Sequence, residues 1–112
     1  MEKIIYTFNN IEYNIVIGKN KYKNWEIIDS SKETDIWFHV ENESSCHVIL
    51  ETNISLSQIP RQVLKRCACL CKSNSKSKIL QKCPIIYTTI NNIVKTDTVG
   101  QVVSQNTRRI VI

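Results

Sequence analysis

Ile4 to Phe8 and Tyr13 to Ile17 are two apolar-rich runs flanking the turn-prone pair Asn9-Asn10, and they predict an opening hairpin that Gly18 ends. From Lys19 to Glu33 the chain is polar except at Trp25, Ile27 and Ile28, a pattern that predicts a loop and a short helix packing by one face. Asp35 to Val40 and Cys46 to Thr52 then alternate strictly. If they pair about Glu43, His39 stands opposite His47, Trp37 opposite Ile49 and Asp35 opposite Glu51. One face then carries Trp37, His39, His47 and Ile49, and the other Ile36, Phe38, Val40, Cys46, Val48 and Leu50, the core side.

Pro60 suits the first turn of a helix, with Ser57 just upstream as its cap. Val63, Leu64, Cys67, Ala68 and Cys71 recur at helical spacing, which predicts a buried stripe on a helix running to about Ser73, with Arg61, Lys65 and Lys72 facing outward. After a Ser/Lys/Asn-rich exit, Ile85 to Thr89, Ile93 to Lys95, Gln101 to Ser104 and Arg108 to Ile112 read as strands, with Gly100 and Asn106-Thr107 as turn signals. The pattern predicts an α+β domain over residues 1–112, an antiparallel sheet with one principal helix and a short second one.

At 112 residues and 42% hydrophobic content the chain can bury a core without metal or disulfide staples. No run has the length of a membrane span or the form of a signal peptide. Five cysteines without an export signal predict a reducing, cytoplasmic setting with free thiols. A net charge of +5 is unevenly placed: lysines gather at Lys19, Lys21 and Lys23 and again at Lys72, Lys76, Lys78 and Lys82, while the acids concentrate between Glu26 and Glu51. Such segregation favours a polyanionic partner.

The candidate chemistry falls into three groups. Cys67, Cys69, Cys71 and Cys83 are soft metal ligands by type, yet residues two apart on a helix diverge and there is no C-x-x-C pair, so core packing is the expected role. Asp35, His39 and His47, with Glu51, are a possible divalent-metal or acid/base site if the hairpin register holds. Gly18 to Asn24 combines a glycine that permits close backbone approach, lysines that neutralise phosphates and asparagines that bond to sugars, phosphates or base edges. A polar, aromatic strand face beside it suggests a binding surface. No P-loop, nucleophile elbow or H-E-x-x-H pattern is present, so neither catalysis nor a cofactor is expected.

Gly18-Lys19-Asn20 with Asn24, the Asp35-Ile36-Trp37-Phe38-His39-Val40 strand, Ser45-Cys46-His47-Val48, Tyr87-Thr88, Lys95 and Val99-Gly100-Gln101-Val102 together resemble the NFACT-R domain, from about Ile15 to the end of the chain. The resemblance implies the RNA-binding module of NEMF/FbpA-type ribosome quality-control factors, standing alone, with tRNA or ribosomal RNA as partner, DNA as a further one, and no catalysis. Trp25 stands where the family usually turns acidic, and Cys46 where it often has glycine or alanine. On this reading Lys19, Asn20, Lys21, Lys23, Asn24, Trp37, His39, His47, Lys72, Lys76, Lys78 and Lys95 form the nucleic-acid site, with Gly18, Asp35 and Gly100 as structural support. Trp37 is a candidate for stacking on an unpaired base, with partly buried packing as the commoner role of a strand tryptophan. The alternatives are the metal-dependent enzyme using Asp35, His39 and His47, and a protein-interaction module in which the lysines serve only solubility.

Overall fold

A computed structural model describes residues 2–76, 78–79 and 81–112; Ser77 and Leu80, in the exit from the principal helix, lie outside the described residues. Asn9 and Asn10 take φ values of 51° and 65°, the left-handed pair that a two-residue hairpin turn requires, and join β1 (Glu2–Phe8) to β2 (Ile11–Gly18). The paired runs β3 (Ile36–Val40) and β4 (His47–Glu51) meet with Trp37 opposite Ile49 and Phe38 opposite Val48, the register centred on Glu43. With β5 (Pro84–Thr89) and β8 (Arg108–Val111) they form one antiparallel sheet in the order β1-β2-β4-β3-β5-β8. The fold is α+β. No helix among the described residues is long and apolar enough to cross a membrane.

The principal helix α2 (Arg61–Ser73) lies against one face and buries Val63, Leu64, Cys67, Ala68 and Cys71, the stripe that the spacing predicts. Opposite it, Ile15, Ile17, Phe38, Val48, Leu50 and Ile85 are sealed from solvent. Burial raises the Cys67 thiol far above its usual range, so it packs as a neutral, inert group. Two details differ from the sequence reading. Pro60 stands at the N-cap with no side-chain cap, and Ser57 belongs to a short 3-10 turn, Leu56–Gln58, where its hydroxyl meets that of Ser55. Proline still serves the helix start, because its carbonyl accepts from the amides of Val63 and Leu64.

The larger difference is on the other face. The sequence leaves Trp37 and Ile49 on an open surface, but helix α1 (Lys21–Asp29) and a separate hairpin of β6 (Ile93–Lys95) and β7 (Val102–Ser104) cover them. Val16, Trp37 and Ile49 there form a second core with Ile27 and Ile28, flanked by Trp25, Ile93 and Val102. The hairpin is tied to α1 where the Trp25 indole donates to the Gln101 carbonyl at 3.2 Å and where Lys95 pairs with Asp29 at 2.6 Å above the Trp25 ring. Trimming this second core should therefore cost as much as trimming the first. Ile49→Ala and Leu50→Ala, pointing to opposite faces, should each lose about 2–5 kcal/mol of stability in urea denaturation. A near-neutral Ile49→Ala would mean that the α1 face is open.

Candidate nucleic-acid interface

The start of α1 is built from its own polar residues. Asn20 caps it, its side-chain oxygen accepting from the amides of Tyr22 and Lys23 at 3.0 and 2.9 Å. One turn later Asn24 is buried, and its Oδ1 accepts from the backbone amide of His47 at 3.1 Å, fastening α1 to β4. Gly18 faces His47 across the β2–β4 ladder, and a Cβ there would lie 2.6 Å from that same Oδ1 and 3.0 Å from the Asn24 backbone. Only glycine leaves room for α1 to sit this close. Gly100, at φ +86°, does the same for the chain entering β7, since a Cβ would come within 2.7 Å of the Lys21 Cα.

Beside this junction Trp37, His39 and His47 form one cluster. The Trp37 indole N–H donates to His47 Nδ1 at 3.1 Å, while the His39 ring stacks on the indole at 5.4 Å between centroids and 11° between planes. The two imidazoles meet edge to face at 4.9 Å. His39 Nδ1 lies 2.7 Å from the Val40 carbonyl and donates to it. Burial, helped by repulsion from His39, pushes the His47 pKa down to about 3, and burial lowers that of His39 as well. Both rings are neutral near pH 7. Trp37 is 2% exposed, so its ring supports the histidines and is not presented to a base; the exposed aromatic beside the lysines is Tyr22, with Lys21 over its ring.

The cluster floors a cleft of about 1140 Å³. Lys19, Asn20 and Lys21 stand along one wall, and Lys76 and Lys78, at the exit of α2, along another. Residues outside the predicted site complete it: Asn42 to Ser45 in the β3–β4 loop, Asn74 and Ser75 after α2, and Thr98, Gln101 and Ser104, of which Ser45 and Gln101 belong to the motifs that carry the family resemblance. A backbone bridge between Ser45 and Ser75 joins the first two segments. The positive φ of Asn42 is the one local signal of that turn, and nothing local in the sequence brings it to the α2 exit. Glu43 is the only acid among the described residues lining the cleft.

Other candidates lie elsewhere. Lys23 pairs with Glu26 at 3.1 Å, Lys72 donates to the Ile112 carbonyl at 3.1 Å, and Lys95 belongs to the α1–hairpin tie. Lys19 keeps its place on the wall while reaching Glu2 at 2.7 Å, an exposed pair of small energetic weight. Asp35 is buried at the far end of β3, about 13 Å along the strand from His39 at ~3.3 Å per residue. Its carboxylate accepts from the amides of Lys32 and Thr52, bracing two loops. Asp35 therefore does not join the histidines, and no group of three or more His, Cys, Asp or Glu side chains among the described residues is arranged to hold a metal. The geometry withdraws its support from the metal-site alternative.

An unfolded imidazole takes up a proton near pH 6.5, whereas folded His47 does so only near pH 3. Between those values the unfolded chain holds more protons, so acidification favours unfolding. The urea midpoint should fall as pH drops from 6.5 toward 4, with His47 contributing up to about 1.4 kcal/mol per pH unit. His47→Gln should flatten the profile. Parallel profiles for the two proteins would contradict the burial of a neutral His47.

Comparison with known proteins agrees with this architecture. The family model described as the NFACT protein RNA binding domain matches residues 3–109. Coiled-coil domain-containing protein 25 of Mus musculus is 39% identical over 95 residues, covering 79% of this chain and 44% of that protein. Its homolog in Dictyostelium discoideum is 34% identical over 108 residues, covering 88% and 50%, and protein JLP2 of Saccharomyces cerevisiae is 36% identical over 89 residues, covering 74% and 43%. The chain thus spans half or less of the length of these relatives. The C-terminal structure of the fibronectin/fibrinogen-binding protein from Streptococcus suis superposes with a TM-score of 0.85 at 20% identity, over 96% of this chain and 44% of that one, which shows a shared fold. The chain belongs to the NFACT RNA-binding domain family and is an RNA-binding module of that kind.

Proposed function

We propose that the lysine-walled cleft over the Trp37/His39/His47 cluster is where this module binds single-stranded RNA, and that its target is tRNA or ribosomal RNA in a translation or ribosome quality-control setting in the cytoplasm. The observation that carries the proposal is the convergence, in one cleft, of Lys19, Lys21, Lys76 and Lys78 around a neutral polar floor, in a chain of an RNA-binding family. Lysines act here as mobile point charges that follow a phosphate backbone without requiring a fixed sequence. The motif resemblance supports the translation setting, and five free cysteines suit a reducing compartment. Single-stranded DNA offers the same phosphates and bases and is expected to compete; contacts to the 2′-hydroxyl, for which Asn20, Asn42 and Ser44 supply donors and acceptors, would favour RNA.

If the four wall lysines each neutralise a phosphate, affinity for a decauridine RNA should fall with salt at a log–log slope of about −3, near −0.7 per contact. Lys21→Glu with Lys78→Glu should weaken binding and make the slope shallower by about 1.4. Arg61→Glu with Lys65→Glu, exposed on α2 and outside the cleft lining, should preserve the slope. Binding that ignores salt, or that the second pair of substitutions weakens as much as the first, would overturn the assignment.

A further inference from the structure

The hydrogen bonds that lock the two imidazoles also set their tautomers, in opposite senses. His47 Nδ1 accepts the Trp37 indole proton, so the neutral His47 ring carries its own proton on Nε2. His39 Nδ1 donates to the Val40 carbonyl, so its Nε2 holds a bare lone pair. Neither Nε2 has a protein partner among the described residues. No side-chain nitrogen or oxygen there is both sealed from solvent and unpartnered, so both Nε2 atoms meet solvent, and the cleft that both residues line is their opening to it. The cleft floor therefore presents one donor and one acceptor side by side, on rings 4.9 Å apart whose orientations the indole holds.

A phosphate does not fit that floor. Its oxygens are acceptors only, and the His39 lone pair would face them with nothing to donate; lowering of the His39 pKa by burial keeps it in that form near pH 7. The complementary ligand offers a donor and an acceptor on one edge, which is what the Watson–Crick edge of an unpaired nucleobase does. We infer that the His39/His47 pair is a nucleobase-binding subsite, taking one flipped-out base of an RNA strand by His47 Nε2–H and His39 Nε2 while the wall lysines hold the flanking phosphates. This inference rests on the RNA-binding reading of the cleft and adds a separate claim to it: the deepest contacts are made to a base, and the phosphates stay at the rim.

Two measurements on the intact protein test it. Decauridine RNA should bind at least tenfold more tightly than an oligomer of the same length that is abasic at every position, because a paired donor–acceptor contact to a base edge is lost, while both share the salt slope set by the phosphates. Long-range proton–nitrogen spectra should show the free protein protonated on His39 Nδ1 and His47 Nε2, with both Nε2 resonances moving when decauridine is added. Equal affinity for the two oligomers, or Nε2 resonances that stay fixed while the lysine-dependent binding saturates, would overturn the subsite and leave the RNA reading standing. Failure of both oligomers to bind would overturn both.

Discussion

The hydrogen bond from the Trp37 indole to His47 Nδ1 is the contact on which the rest of the molecule turns. It forms across the β3–β4 hairpin only because the register sets Trp37 opposite Ile49, and a slip of one residue would put His47 on the face opposite Trp37 and His39. It also sets the tautomer. His47 accepts at Nδ1 while burial keeps its imidazole neutral, and the indole that donates carries the stacked His39 ring on its face. Leaving either buried partner unpaired would cost about 1–3 kcal/mol, so the ring geometry is coupled to stability as well as to recognition.

Around that bond the polar residues divide their work by depth. Asn24 and Asp35, both buried, spend their side chains on backbone amides of His47, Lys32 and Thr52 and so fix the positions of α1 and two loops. Asn20, at the surface, shapes the helix start that aims Lys21 at the cleft. The lysines come last and outermost, on walls supplied by the start of α1 and by the α2 exit, two segments far apart in sequence. Rigid polar floor and flexible charged rim are what a binder of single strands needs. The rim tolerates backbone variation, and the floor holds one contact geometry.

Local pattern was a good guide where one element decides the answer. The hairpin register follows from spacing about Glu43, and the α2 stripe from helical periodicity, since both depend on neighbours a few residues apart. It was a poor guide where distant segments meet. Nothing in the polar run from Lys19 to Asn24 announces that Asn24 is buried, because an asparagine reads as surface until the amide it satisfies is known. Trp37 likewise leaves stacking and packing both open until α1 and the β6–β7 hairpin are seen to cover it. Lys72 and Lys95 look equivalent to Lys76 and Lys78 along the chain and are separated from them by tertiary placement alone.

Mapping backbone amide shifts while single-stranded RNA is titrated locates the interface residue by residue. The largest changes should gather at Lys19 to Lys21, at Asn42 to His47, at Lys76 and Lys78 and at Gly100, the segments that meet at the cleft. Changes centred on the outer face of α2, at Arg61 and Lys65, with the cleft unmoved, would contradict the assignment of RNA binding to the cleft.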